Sequence, residues 1–323
     1  MSPLNWRTLI LECADPTLCW EKIADAALES AKTAQTPAQL HNLLQPLDRI
    51  LADAAWDLWE SFPVCFPTTA ETLKRWWQAP KAATGRAVLI LDGLSLRELP
   101  LLLSLLESHI IAPLDVRVTG AEVPTDTDHF AAALGLSGRS ALKHNEAPAG
   151  FILQSDDLYT DVAGDPFADC IHDIPARNDI IIWHTWPDDL FKSKARDVTD
   201  LERTIQQGLT SPGFWELLMK LRQGRQLVIT SDHGYANTKN FPVEEMGDVK
   251  DYLADHFGAM RMTLSKSPLP TKFFPPLALT FNGWDVVLGQ RHWKVTGGYP
   301  FICHGGLTLL EAFSPYIIIP EVH

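Results

Sequence analysis

The sequence predicts an α/β protein, a three-layer α/β/α stack on a mostly parallel sheet preceded by an α-helical segment. Three observations carry that class. The runs AVLILDG, IIIWHT, QLVITSDHG and SPYIIIP are nearly continuous in apolar residues, as strands become when helices cover both faces of their sheet. The stretches LSLRELPLLLSLLESH and DVTDLERTIQQGLTSPGFWELLMKLRQ between them read as helices, and strands alternating with helices form parallel sheets. Residues 1–80 are rich in Ala, Leu, Glu and Gln, with Leu40, Leu43, Leu44, Leu47 and Ile50 on a helical period.

The chain divides accordingly into a helical region, residues 1–80, and an α/β domain, residues 81–323. Trp6, Trp20, Trp56, Trp59, Trp76 and Trp77 crowd the first region, which suits packing against a larger body, as core or interdomain seam, or else a face for a partner. Lys81 to Gly85 form a short polar link. Residues 239–300 interrupt the rhythm with KNFPVEEMGDVKDYLADHFGAM, a Pro-rich SKSPLPTKFFPP and a hairpin expected across WDVVLGQRHWKVTGGY. They read as an insertion beside the functional edge of the sheet.

Composition limits the function. A chain of 323 residues, 46% hydrophobic, can bury a large core. Its net charge of -13, from 27 basic and 40 acidic side chains, opposes non-specific attachment to nucleic acid or anionic membrane, although a local basic or metal-bearing pocket can still hold an anion. The five cysteines, Cys13, Cys19, Cys65, Cys170 and Cys303, are odd in number and lack paired metal-finger spacing. They argue against a disulfide framework or zinc knuckle and fit a reducing compartment. The start MSPLNWRTLILECADP lacks the basic flank and apolar run of a signal peptide, and no stretch approaches the roughly 18 apolar residues of a membrane span. The expected location is cytoplasmic.

In parallel α/β sheets, function gathers at the carboxyl ends of strands, and four elements with suitable chemistry stand at such ends. Asp92 in AVLILDGLS closes a buried strand before Gly93; alone, it reads equally as a turn or cap residue. Asp232 and His233 in TSDHGYA offer oxygen and nitrogen donors that suit Zn²⁺ or Mn²⁺, and a turning backbone lets neighbours converge that a straight strand would point apart. As an isolated pair they also read as a structural hydrogen bond. His304 precedes two glycines in PFICHGG, where backbone can crowd a ligand; its neighbour Cys303 reads as a buried thiol rather than a metal thiolate. In AEVPTDTDHF, Thr125 and Thr127 flank Asp126 in a loop entering a helix, as N-cap residues or as part of an anion site at the helix start.

In this order the ILDGLS, PTDT, TSDHG and HGGLTLLEAFSPYIIIP blocks resemble the alkaline phosphatase superfamily over residues 86–323. Glu311 and the closing Pro-Tyr strand make the resemblance closest to its PglZ domain branch. Residues 1–80 carry no resemblance. The resemblance implies an alkaline-phosphatase-like fold and a metal-dependent hydrolase of phosphate esters, diesters favoured over monoesters, with a nucleotide or oligonucleotide as one substrate class. It also implies a place in bacterial anti-phage systems, among protein partners. By position, it implies that Asp92, Thr127, Asp232 and His233 surround one ion, zinc or manganese, with Thr127 rather than Thr125 as the attacking alkoxide.

A second ion in that superfamily would take Asp188, the residue four positions later, and His304. The residue four positions later is Lys192. A protonated ammonium cannot ligate a metal, but it can supply positive charge against a phosphate oxygen. Three readings stay open: Asp189 or His184 supplies the ligand; the site holds one ion with Lys192 as a catalytic substitute for the other; or the site has decayed and the chain is a PglZ-like scaffold binding protein partners. No dense arginine cluster is present to grip a dianionic phosphate, and Arg139, Arg291 and Lys294 are the cations with a chance of reaching the site.

Overall fold

A computed structural model describes residues 10, 13–80, 85–164, 166–172, 174–193, 197–245 and 247–322. Most of the link expected after residue 80 and the side chain of Lys192 lie outside the described residues. Four helices come first: α1 (Pro16–Thr33), α2 (Pro37–Asp53), α3 (Leu58–Cys65) and α4 (Thr69–Gln78). Asp15, Thr36 and Thr68 accept backbone N–H groups at the starts of α1, α2 and α4, satisfying donors that a helix cannot pair internally.

The central sheet has six strands: β1 (Gly85–Leu91), β2 (Asp115–Gly120), β3 (Leu158–Ala163), β4 (Asp179–His184), β5 (Arg225–Thr230) and β6 (Phe313–Ile319), in the order β2-β6-β5-β1-β4-β3. β1 pairs parallel with β4 and β5, and β3 with β4. Only β6 runs antiparallel, between β2 and β5. The principal helices between strands are α5 (Leu99–Ser108), α6 (Thr127–Ala133), α7 (Asp188–Ser193), α8 (Val198–Thr210) and α9 (Pro212–Leu221). Ala87, Leu89, Leu91, Leu227 and Ile229 pack with α1, α2, α5, α8 and α9 on one face, while Val88, Ile90, Val228 and Trp183 meet Leu73, Trp77 and Phe130 on the other. Two covered faces explain why these strands read as unbroken apolar runs.

The amino-terminal helices share this core. Trp20 of α1 is fully buried, its ring 4.9 Å from Trp59, 4.7 Å from Phe62 and 6.3 Å from Phe313 of β6. α2 buries Leu40, Leu44, Leu47 and Leu51, and on the same side it buries a carboxylate, Asp48.

Several local expectations differ from the structure. The helix read from residue 94 starts at Leu99, with Pro100 in its first turn, a position where its missing N–H costs nothing. Residues 197–223 form two helices, because Ser211 both ends α8 and caps α9 ahead of Pro212. The hairpin lies earlier than expected: Trp284–Val287 pairs backward with Ala278–Phe281 rather than with later residues. Asn282 and Gly283 between them have φ of 49° and 83°, the left-handed pair of a two-residue hairpin turn. With Met262–Leu264 this hairpin makes a three-stranded sheet, and helix α10 (Gly247–Phe257) packs Val249, Leu253 and Phe257 on Trp293 and Leu277 beneath it.

Burial pushes the Asp48 carboxyl up from 3.8 to about 7, outweighing the hydrogen bonds from Leu309 and Gln290 that pull it down. The folded chain therefore holds this proton more tightly than the unfolded chain. That contribution to stability is complete below the unfolded value and is lost as pH rises through the folded one. Urea unfolding of the native chain and of Asp48→Asn, from about pH 4 to about pH 8, should show native stability falling relative to the variant by up to ~1.4 kcal/mol per pH unit, levelling off above about 7.

Candidate metal centre

The parallel strands deliver their carboxyl ends to one edge. β1 ends at Asp92, β5 at Asp232 and His233, β4 leads to Asp188 at the start of α7, and β2 leads to Thr127 at the start of α6. Because β6 is antiparallel, the segment before it reaches the same edge, bringing His304 and helix α11 (Leu309–Ala312).

Each donor is oriented by backbone or side-chain hydrogen bonds. Asp232 Oδ1 accepts from the N–H of Gly93 at 2.9 Å and of His233 at 3.0 Å. Its Oδ2 accepts the Thr127 hydroxyl at 2.9 Å. His233 Nδ1 lies 2.8 Å from the Gly234 carbonyl; since a carbonyl only accepts, Nδ1 carries a proton, and in the neutral ring Nε2 presents its lone pair. Nε2 faces Asp232 Oδ2 at 3.4 Å, Asp92 Oδ1 at 3.9 Å and Thr127 Oγ1 at 3.4 Å, while Thr127 Oγ1 is 3.3 Å from Asp92 Oδ1. Donor atoms of Asp92, Asp232 and His233 all lie within 4.8 Å of one another, and all three residues are fully buried.

Burial first, then the adjacent Asp232 and Asp188, holds the Asp92 carboxyl well above the usual carboxylate range against the pull of His233 and Arg139. Burial works to lower His233, but the Asp232 and Asp92 carboxylates outweigh it and the ring is raised. These are the signs of negative charge crowded into a dry pocket, which a cation relieves. Two carboxylate oxygens, an imidazole nitrogen and a hydroxyl suit zinc or manganese. The residues present thus fit the implied ion.

The other expected ligands stand next to this group. The His304 ring stacks on His233 with centroids 4.3 Å apart and planes 23° apart, its Nδ1 3.3 Å from the Thr125 carbonyl. Burial, then His233, brings it down to about 4. Asp188 is buried and its backbone N–H donates to the Asp92 carbonyl at 3.0 Å. Neither joins the group closed within 4.8 Å among the described residues. His184 packs on Phe167 with centroids 4.3 Å apart and accepts from the Trp186 N–H at 3.1 Å, while Asp189 is exposed. Neither falls in the group closed within 4.8 Å among the described residues. Of the three candidate cations, Arg139 alone reaches the centre, hydrogen-bonding Asp92 Oδ2; Arg291 pairs with Glu244 at 2.6 Å, and Lys294 is exposed. Cys303 is buried and its thiol is pushed far above the usual range, by burial first, consistent with a packing role.

Sequence reading named Thr125 and Glu311 but missed that they hold the loops, and it did not find Arg261. The Thr125 hydroxyl accepts the Gly305 N–H at 2.9 Å and donates to the Gly306 carbonyl at 3.1 Å, tying the PTDT and HGG segments together. Glu311, fully buried, accepts from Gly306 N–H at 3.0 Å, Thr308 hydroxyl at 2.8 Å and Arg261 Nε at 2.8 Å. A Cβ at Gly234 would lie 2.1 Å from the Leu310 carbonyl, so the turn after His233 rests directly on α11.

No family model matches the chain, and no curated protein matches it. Among solved structures, murine ectonucleotide pyrophosphatase/phosphodiesterase 5 is similar at 14% identity, over 74% of this chain and 88% of that one, with a TM-score of 0.42. Its inactive variant in complex with AMP gives 0.43 over the same shares. The human protein covers 47% of this chain and 52% of its own at a TM-score of 0.28. Likeness of this degree is too distant to assign a family.

Chain purified without chelator should retain divalent metal by mass spectrometry, and Asp232→Ala and His233→Ala should lose it. A chelator should lower the thermal midpoint of the native chain and leave those variants unmoved, since an ion that binds only the folded state stabilises it by mass action.

Proposed function

We propose that the chain is a metal-dependent phosphoesterase with Thr127 as nucleophile and phosphodiesters as its substrate class. The observation that carries this is the Thr127 hydroxyl, held at 2.9 Å from Asp232 Oδ2 and 3.4 Å from His233 Nε2 inside the buried donor group. That is the position of a hydroxyl to be deprotonated beside a cation. Asp92, Asp232 and His233 would hold a divalent ion there, whose Lewis acidity would lower the pKa of the hydroxyl.

Thr127 Oγ1 attacks phosphorus, forming an Oγ1–P bond as the ester P–O bond breaks and the alcohol departs. Water then displaces threonine, which recovers its proton. Arg139, with 25% of its side chain exposed against none of Asp92's, stands between the buried donors and solvent. It would offset charge on a non-bridging oxygen, the role that one of the open readings gave to Lys192. Asp92, Asp188 and Asp232 crowd acids at this edge, and Arg139 is the cation paired with Asp92 among the described residues. A monoanionic diester unbalances this site less than a dianionic monoester does. The quoted sequence blocks favour the PglZ branch and, with it, a nucleotide or oligonucleotide substrate and a role in phage defence. A complete donor set weighs against a decayed scaffold.

Thr127→Ala should abolish hydrolysis of bis-p-nitrophenyl phosphate yet keep metal content near the native value. Arg139→Ala should lower kcat by about 10²-fold, the cost of one lost transition-state donor, while p-nitrophenyl phosphate remains the poorer substrate for the native chain. Metal-loaded protein without turnover of any diester would sink this reading.

A further inference from the structure

The helical region, residues 1–80, has no part in the chemistry described so far, yet one of its side chains reaches the loops that carry it. Asp48 lies beside Leu47 on the apolar side of α2, 3% exposed. A helix docked only for stability has no use for a carboxylate there, because a buried polar group costs free energy unless it is hydrogen-bonded. Its partners lie far along the chain: Oδ1 accepts the Leu309 N–H at 2.8 Å, and Oδ2 accepts Gln290 Nε2 at 2.9 Å.

Leu309 opens α11, whose own N-cap residue, Thr308, makes no capping bond. The Thr308 hydroxyl is turned to Glu311 instead, at 2.8 Å. The cap is therefore supplied in trans, by α2. From α11, contact runs to both histidine loops. The Glu311 carbonyl accepts the Gly234 N–H at 3.0 Å, next to His233, and the Glu311 side chain holds Gly306, two residues from His304.

We propose that Asp48 is a positioning residue for the metal centre: by capping α11 from the amino-terminal helices it sets the placement of the His233 and His304 loops. The amino-terminal helices are then a working part of the site. This assignment rests on the phosphoesterase reading for its catalytic consequence, but the clamp itself is open to a test that does not need turnover.

The test compares the full-length native chain with Asp48→Ala, Asp48→Asn and Leu51→Ala by hydrogen exchange of residues 303–312, by zinc affinity and by kcat/KM for bis-p-nitrophenyl phosphate. Asn keeps the oxygen that accepts from Leu309. Leu51→Ala, on the same helix, removes packing but no hydrogen bond to α11 and controls for general loosening. The expected result is faster exchange of residues 303–312 and at least about tenfold loss of kcat/KM in Asp48→Ala, the scale of one lost hydrogen bond, with both restored in Asp48→Asn and unchanged in Leu51→Ala. Unchanged exchange in Asp48→Ala overturns the clamp whatever turnover does. Faster exchange with native zinc affinity and kcat/KM, or equal losses in Leu51→Ala, leaves Asp48 a packing residue and overturns the positioning role. A native chain without turnover overturns the phosphoesterase reading alone, and exchange together with zinc affinity still decides the clamp. Should Asp48→Ala not fold, Gln290→Ala, which removes the other partner of Asp48, takes its place with the same expectations at smaller size.

Discussion

Two carboxylates buried side by side govern the design of this molecule. Asp92 and Asp232 follow neighbouring parallel strands, β1 and β5, whose register pairs Ile90 with Thr230, so the chain leaves both strands at the same height with an acid on each. Neither residue is exposed. In an interior of low effective dielectric, two such charges are costly unless compensated. The compensation visible in the chain is partial: the backbone N–H groups of Gly93 and His233, the Thr127 hydroxyl, and one guanidinium from Arg139. What remains is a pocket of negative potential beside the His233 imidazole, a combination that suits a divalent cation.

The topology follows from the need to bring a fifth segment to the same edge. Strands β1, β2, β4 and β5 point their carboxyl ends there through helical crossovers. A parallel β6 would have left the preceding segment, with His304, at the opposite edge. Running β6 antiparallel between β2 and β5 places that segment over the centre, and the single reversed strand is thus tied to the site. Residues 239–300 meet this arrangement through Arg261, which is fully buried, bonds the Gly289 carbonyl within its own segment at 2.7 Å and reaches out to Glu311 at 2.8 Å.

What could be read from the sequence was whatever is written locally. The sheet strands β1, β4, β5 and β6 showed as continuous apolar runs, and Asp92, Asp232, His233 and Thr127 stood out because each sits in a turn at a strand end or helix start. β2 and β3 escaped because both are half-exposed edge strands with mixed composition, DVRVTG and LYTDVA. The hairpin was misplaced because WDVV was extended forward, when the Asn-Gly pair just before it is the stronger turn signal. The long-range contacts that hold the site were not legible at all. Arg261 and Glu311 lie 50 positions apart, and Asp48 and Leu309 lie 261 apart; nothing in the composition around a lone arginine or aspartate announces a partner at that distance. Asp48 even falls within a helical apolar pattern that is complete without it.

That same remoteness bears on how the centre works. The bonds that fix its loops come from α2, the PTDT turn and the insertion, segments that meet only when the whole chain has folded. Such contacts form late, because long loops must close before they are made. Once formed, they share the cooperativity of the core and do not fray as local turns do. Donors held in this way are oriented by the fold itself, so little reorganisation would be left for a reaction at this edge. The Asp48 bond to α11, more than the packing of α2 by itself, is therefore what would tie the amino-terminal helices to the electrostatics of the centre: without it the turn that carries His233 would be freer to shift, and the field that suits a cation would weaken.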